Sequence, residues 1–154
     1  MKTAINLAFA DGEYTFRLGL SQINEIQSRC GTGIGAVYAR VLKGRYLQST
    51  PQGDLAIGDP SQGEYRLEDL LTVIRQGLLG GARGSVDGAE VRVDTTRATE
   101  IMTDYVYPAD GCPLKDAWGL AAAILSVAIE GYSPPGEAGP PEAAAREAEA
   151  VTVS

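Results

Sequence analysis

Residues 4–20, AINLAFADGEYTFRLGL, carry the clearest local pattern in the chain. Apolar side chains alternate with polar or small ones on both sides of Asp11-Gly12, a dipeptide that favours the type I′ turn of a two-residue hairpin loop. With that loop Phe9 faces Tyr14, and two further apolar pairs follow in the same register, Leu7 with Phe16 and Ile5 with Leu18. The pattern predicts an N-terminal β-hairpin whose apolar face needs a cover, because an isolated hairpin is marginally stable in water.

Segments with helical spacing supply that cover. The first helix is predicted from Ser21 as N-cap to Gly31, and the second from about Ile34 to Lys43. The third has apolar residues at offsets 0, 3, 4, 7 and 11 and ends at Gly80-Gly81. Those residues are Leu67, Leu70, Leu71, Ile74 and Leu78. A fourth helix ends at Pro108 and carries one apolar face, formed by Ala98, Ile101, Met102, Tyr105 and Val106.

The fifth helix is predicted from Pro113, as first helical residue, to about Gly131. It is apolar nearly all round, which is typical of a helix that is central to its own fold or is offered to a partner. The central position is the favoured interpretation. For the single tryptophan, Trp118, a core position likewise comes before the role of an interface anchor.

Two connecting segments and the C-terminus complete the organisation. Residues 46–65 are predicted as a loop in which Leu55 and Ile57 allow a short strand. In residues 82–94, Asp87-Gly88 followed by Val91 and Val93 allows a second hairpin. Residues 133–154 are rich in Pro, Glu and Ala and are predicted to be a disordered tail. The fold class is therefore α+β and mainly helical, with a β-hairpin packed on about five helices in a single domain, residues 1–132.

Composition narrows the function. The chain has 154 residues, 44% of them hydrophobic, and a net charge of −7, which argues against a nucleic-acid-binding protein. No secretory signal is predicted at the N-terminus, and the longest apolar stretch falls short of the roughly 20 residues of a membrane helix. Cys30 and Cys112 belong to no metal-binding motif and are interpreted as reduced thiols of a cytoplasmic protein, with a disulfide between them left open.

Catalytic and cofactor chemistry finds little support. The chain has no histidine, the commonest acid–base residue near neutral pH. The glycines at 31–35 and 80–84 lack the spacing of a phosphate-binding loop and are explained as helix ends and turns. The carboxylates Glu64, Glu68 and Asp69 suit a helix start, and Glu100 with Asp104 suits a solvated helix face. No enzyme activity, cofactor or metal site is predicted.

Several segments in order carry a resemblance: LGLSQINEI at 18–26, YRLEDLLTVIRQGLLGG at 65–81, Tyr105-Val106, and PLKDAW at 113–118. Together with the hairpin they resemble the gene-transfer-agent tail-protein family, which is related to the tail assembly chaperones of long-tailed phages. The resemblance covers most of residues 4–132. The segments 46–65 and 82–94 are longer than the family pattern, and the tail is additional.

The resemblance implies a protein that acts in the bacterial cytoplasm during phage tail assembly. It would bind the helical tape-measure protein, keep it soluble and support polymerisation of tail-tube subunits, with self-association compatible with that role. The alternative is a stoichiometric tail-tube or minor tail subunit, with virion association left open. Excess apolar surface on the third and fifth helices is predicted to hold the partner. The residues of that surface are Leu67, Leu71, Leu78, Leu79, Trp118, Leu125 and Tyr132.

Overall fold

The computed structural model describes residues 1–107 and 113–133. Within them the strands are β1 (Ala4–Phe9), β2 (Gly12–Arg17), β3 (Arg45–Thr50), β4 (Gly53–Gly58), β5 (Arg83–Val86) and β6 (Ala89–Arg92). The α-helices are α1 (Leu20–Cys30), α2 (Ile34–Leu42), α3 (Leu67–Gly81), α4 (Thr95–Ile101) and α5 (Leu114–Glu130). The predicted fold class, a β-hairpin with five α-helices, is confirmed.

The two hairpins join into one antiparallel sheet with the strand order β1-β2-β5-β6. The second hairpin, allowed by the sequence at 82–94, is confirmed, and Asp87 and Gly88 form its turn with φ values of 51° and 78°. Positive φ at both central residues is what a type I′ turn requires. The segment expected to be a linker therefore supplies half of the main sheet.

The predicted register of the first hairpin is wrong by two residues. Phe9 pairs with Gly12 and Leu7 with Tyr14, so that the loop is Ala10-Asp11. The apolar face is nevertheless as predicted, because a shift of two residues keeps every side chain on its face. Gly12 is needed in the strand, since a Cβ there would overlap the carbonyl oxygen of Ser85 in β5.

The helices lie close to their predicted positions, with differences at their ends. Gly19, rather than Ser21, is the N-cap of α1, because the Gln22 side chain accepts a hydrogen bond from the Gly19 N–H at 2.9 Å. Pro113 precedes α5 as its N-cap instead of being its first residue. Cys112, Pro108 as the helix stop and residues 134–154 of the predicted tail lie outside the described residues.

One turn of π-helix, Met102–Val106, extends α4. The Tyr107 N–H donates to the Met102 carbonyl at 2.9 Å, a bond between residues five apart. This wider turn shifts the angular positions that follow it. Four members of the predicted apolar face are buried, whereas Tyr105 is exposed.

Helix α3 lies at the centre of the molecule, in contact with β2, α1 and α5. Its last two residues, Gly80 and Gly81, pack directly on β2, where a Cβ would overlap the carbonyl oxygens of Arg17 and Thr15. Glycine is therefore required at this junction for close approach of the two backbones. In the described part of the chain, no helix has the length and apolar character needed to cross a membrane.

Two ion pairs fasten the helices and the hairpin. The fully buried Asp69 accepts hydrogen bonds from Arg40 at 2.6 and 3.0 Å and from the Arg66 N–H at 3.0 Å. Arg97 of α4 donates to Asp11 in the hairpin turn at 2.7 Å and to the Tyr14 hydroxyl at 3.1 Å. Asp69 thus has the structural role expected at a helix start, reinforced by a partner from α2.

Strands β3 and β4 form a separate two-stranded antiparallel sheet, here called the β3–β4 ribbon. The short strand expected around Leu55 and Ile57 is confirmed as β4. Its partner β3 was predicted as loop, and that prediction is wrong. The second half of β3, Gln48-Ser49-Thr50, has no apolar residue, so the strand lacks the alternation that identifies half-buried strands.

Candidate partner-binding surface

The structure divides the seven residues of the predicted partner surface into two groups. Leu78, Trp118 and Leu125 are fully buried in the hydrophobic core. Leu67 is 47% exposed at the start of α3. Three others, Leu71, Leu79 and Tyr132, are half-buried. The accessible group therefore consists of Leu67, Leu71, Leu79 and Tyr132. The three buried residues contribute to the core and not to a surface.

Trp118 shows why its position is internal. Its indole N–H donates to the Val41 carbonyl of α2 at 2.6 Å, and its ring lies 4.8 Å from the ring of Tyr65. The guanidinium of Arg45 also lies over the Trp118 ring, 4.9 Å from the ring centroid. The core interpretation of Trp118 is therefore correct. The residue ties α5 to α2 and to the base of the β3–β4 ribbon.

An apolar groove runs along the side of α5 that faces α2 and the β3–β4 ribbon, and we call it the α5 groove. Its floor consists of the small residues of α5 that follow one another at helical spacing, Gly119, Ala122, Ala123 and Ser126. Tyr38 and Leu42 of α2 form one wall, and the β3–β4 ribbon forms the other. The cavity measures about 410 Å³. This volume lies within the usual range of protein binding pockets, about 300–1,000 Å³.

The two ends of the α5 groove carry opposite charges. Arg45 lies at one end, where burial lowers the pKa of its guanidinium. Glu130 lies at the other end and accepts a hydrogen bond from the Tyr38 hydroxyl. Burial, followed by this bond to Glu130, raises the pKa of Tyr38, so the tyrosine stays neutral near pH 7. The groove is thus apolar along its length and polar at its ends.

The two faces of the β3–β4 ribbon differ in what they contact. Leu47 pairs with Ala56, and both line the α5 groove. Leu55 pairs with Gln48, so these residues point to the opposite face. Leu47 is 70% exposed and Leu55 is 55% exposed. Leu47 therefore adds exposed apolar area to the α5 groove, whereas Leu55 is a single exposed leucine on the other face.

Sequence reasoning missed the α5 groove, although part of its signal was present. The spacing of Gly119, Ala122, Ala123 and Ser126 marks a stripe of small residues along α5 that large side chains do not fill. The walls could not be predicted, because β3 was not recognised as a strand. The groove depends on folding the ribbon over α5, which is a long-range arrangement.

The reactive side chains among the described residues have structural surroundings. Cys30 has a buried free thiol, and burial, followed by the charge of Asp69, raises its pKa to about 11. A thiol with so high a pKa is a poor nucleophile at neutral pH. Glu100 forms an ion pair with Arg97 on the surface of α4, as expected for a solvated face. In the described ranges, no three His, Cys, Asp or Glu residues gather as metal ligands.

Residues 2–50 match the model of a family described as "Phage tail tube protein, GTA-gp10". The matched part is about a third of the chain and extends from β1 to the end of β3. It supports a relation to gene-transfer-agent and phage tail proteins, a structural rather than an enzymatic group. The segments at 65–81 and 113–118 that resemble the same family lie beyond the matched residues. No curated protein and no solved structure matches the chain.

Proposed function

We propose that this protein is a tail assembly chaperone that binds the tape-measure protein through the α5 groove and so supports assembly of the tail tube. The observation that carries the proposal is the apolar groove between α2, α5 and the β3–β4 ribbon. The family match supplies the tail context. The proposed work is binding in the host cytoplasm, without catalysis, cofactor or metal.

The shape of the α5 groove suits a helical partner. A helix that binds in a groove inserts apolar side chains from positions i, i+3, i+4 and i+7. The small residues on the floor let such side chains approach the α5 backbone, and Leu47 and Leu42 flank them. A tape-measure protein, being long, apolar and helical, presents such anchors repeatedly. Binding would cover surface that otherwise promotes its aggregation.

The accessible residues of the predicted surface form a second proposed contact. Leu67 and Leu71 lie one turn apart on α3, and Leu67 is nearly half exposed. Leu79 and Tyr132 expose smaller areas. We assign to Leu67 and Leu71 a contact with the same partner or with a second copy of this chain, separate from the α5 groove.

Co-expression with the tape-measure protein, the large tail protein of the same phage or gene-transfer agent, tests the proposal. The measured quantity is the fraction of that protein in the soluble extract that co-purifies with this chain. Leu47→Glu places a charge in the wall of the α5 groove and should reduce co-purification at least tenfold. Leu67→Glu tests the α3 contact separately. Both side chains are exposed, so the variants should fold as the wild type does.

Two matched variants control for added charge and lost apolar area. Leu55→Glu changes the opposite face of the same ribbon, and Leu20→Glu changes a leucine that is 83% exposed at the start of α1. Both should retain the partner. If Leu47→Glu co-purifies as well as the wild type, the α5 groove is not the binding site. If the wild type does not keep the large tail protein soluble either, the protein is not its chaperone.

The second candidate is a stoichiometric tail-tube or minor tail subunit. It is favoured by the printed description of the matched family and by open strand edges. Strands β1 and β6 are the outer strands of the sheet, and among the described residues no third strand pairs with the β3–β4 ribbon. Open edges can pair with strands of neighbouring subunits. The predominance of helix in the fold supports the chaperone instead, because tube subunits are usually rich in β-structure.

A further inference from the structure

The outer face of the four-stranded sheet carries a cluster of arginines at one end. Arg17 ends β2, Arg83 begins β5 and Arg92 ends β6, and antiparallel pairing places these strand ends together. All three are exposed. We call Arg17, Arg83 and Arg92 the cationic patch. It stands out in a chain whose net charge is −7.

The cationic patch forms no ion pair in the described fold, although Glu90 lines the same cavity as Arg83 and Arg92. Arg83 and Arg92 are directly paired across the strands, and like charges at such positions are destabilising. No ion pair between described residues involves any of the three arginines. Arg83 donates only to the Thr15 hydroxyl at 3.4 Å, a neutral partner. The arrangement is therefore one that a bound anionic group would stabilise.

The C-terminal segment starts beside this patch. Tyr132 is held at the same end of the sheet by two backbone hydrogen bonds with Lys2, of 2.8 and 2.7 Å. Tyr132 and Arg83 line one cavity of about 330 Å³. The chain that follows Ser133 has 21 residues, and a fully extended residue spans at most about 3.6 Å. The segment can therefore reach every arginine of the patch.

The charge of this segment is complementary to the patch. Residues 134–154 contain four acidic residues and one basic residue, a formal charge of −3 out of the net −7. The acidic residues are Glu137, Glu142, Glu147 and Glu149, and the basic one is Arg146. We propose that residues 134–154 dock on the cationic patch of their own chain through their glutamates. The inference does not depend on the proposed function, because it uses neither the α5 groove nor a tail partner.

Ionic strength controls such a contact. The screening length is about 30 Å at 0.01 M salt and about 3 Å at 1 M. Docking through several carboxylates and arginines should therefore be present at low salt and lost at high salt. Exposed charge pairs are individually weak, so the contact depends on several glutamates acting together.

Nuclear magnetic resonance of the ¹⁵N-labelled full chain tests the inference. The amide signals of residues 142–150 are recorded at 10 mM and at 1 M NaCl for the wild type, Arg92→Glu and Arg29→Glu. Arg92 makes no ion pair with a described residue, so reversing its charge should leave the fold intact. Arg29 lies on α1 and pairs with Glu25, and its variant has the same change of charge away from the patch. The Trp118 indole signal reports that the core is unchanged.

At 10 mM salt we expect Arg92→Glu to move the tail signals to the positions that the wild type shows at 1 M. Arg29→Glu should leave them at the low-salt positions of the wild type. If the tail signals have the same positions in the wild type and in Arg92→Glu at 10 mM NaCl, the inference is overturned. The cationic patch would then be a site for an anionic segment of another protein. Wild-type signals that move to the high-salt positions on dilution would also overturn it, because the tail would then dock on a second copy.

A second variant, which changes the glutamates of the C-terminal segment, tests the same contact without altering Arg92. Glu147→Gln together with Glu149→Gln removes two tail charges and leaves the described fold untouched. The side-chain N–H signals of Arg83 and Arg92 should then shift toward their high-salt positions. Unchanged arginine signals in this variant would contradict docking by the tail.

Discussion

Gly81 illustrates what one residue contributes where α3 meets β2. A side chain at this position would overlap the Thr15 carbonyl oxygen, which is fixed in the sheet. Relief of the overlap requires movement of α3 or β2, and such overpacking typically costs about 1–3 kcal/mol. We therefore predict that Gly81→Ala lowers the free energy of unfolding by about 2 kcal/mol or more, measured by urea denaturation.

Gly35→Ala is the matched control for this prediction. Gly35 is the second residue of α2, and a Cβ there would meet no atom within 4 Å. Alanine is favoured over glycine in helices, so this variant should equal the wild type or exceed its stability by up to about 1 kcal/mol. Equal stability of the two alanine variants would contradict the close-packing explanation for Gly81.

Cys30 gives a prediction about alkaline pH. Its pKa in the folded chain is about 11 against an ordinary value of 9.0. A raised pKa favours the protonated thiol in the folded state, so the stabilisation is present below pH 9 and is lost as the pH rises toward 11. We expect the free energy of unfolding of a Cys112→Ser variant to fall in this range. Adding Cys30→Val should reduce the loss of unfolding free energy between pH 9 and pH 11. An unchanged dependence on pH would show that the Cys30 thiol is not the cause.

The loop of the first hairpin shows where local reasoning from residues fails. Asp11-Gly12 has the composition of a type I′ turn, and nothing nearby in the sequence argues against it. In the structure Gly12 meets β5, which is some seventy residues distant, and Asp11 binds Arg97 of α4. The apolar alternation predicted the correct face, whereas the register depended on contacts that sequence neighbours do not reveal.

At the scale of elements, the helices were the most predictable part. Their apolar residues recur with a period of 3.6 over several turns, and glycines mark the ends of α1 and α3. Strand β3 was missed because a short strand on the surface has no such long signal. The candidate site was missed with it, since β3 forms part of one wall of the α5 groove.

The contact between the hairpin turn and α4 yields a prediction about acid stability. The Tyr14 hydroxyl, followed by Arg97, lowers the pKa of Asp11 below 3.8. A lowered pKa contributes stability above pH 4 that is lost as the pH falls further. Asp11→Asn should therefore cost about 1 kcal/mol at pH 7 and reduce the pH dependence of unfolding below pH 4.

Asp54→Asn, on the exposed ribbon, is the comparison for Asp11→Asn. It should change neither the stability at pH 7 nor the acid dependence by a comparable amount. If the two variants behave alike in chemical denaturation between pH 2 and pH 7, the turn is not fastened to α4 in the way described.

At the scale of the whole molecule, α5 takes the central position that its sequence favoured. Ala121 and Leu125 are fully buried, so the helix is central to its own fold. Its small residues nevertheless leave a groove on another side. The sequence predicted an apolar helix and the correct fold class. It could not predict that the two distant hairpins join into one sheet, because strand pairing across the chain is not encoded in local periodicity.

The copy number of this protein in purified phage or gene-transfer-agent particles tests the chaperone proposal most directly. Quantitative mass spectrometry, calibrated against the major tail subunit of the same particles, supplies the number. A chaperone acts before the tube is complete and leaves it, so the protein should be abundant in the producing cells and absent, or nearly absent, from the particles. A constant number of copies per particle, whether one ring of a minor subunit or as many as the tube subunits, would contradict the proposal and establish a structural tail subunit.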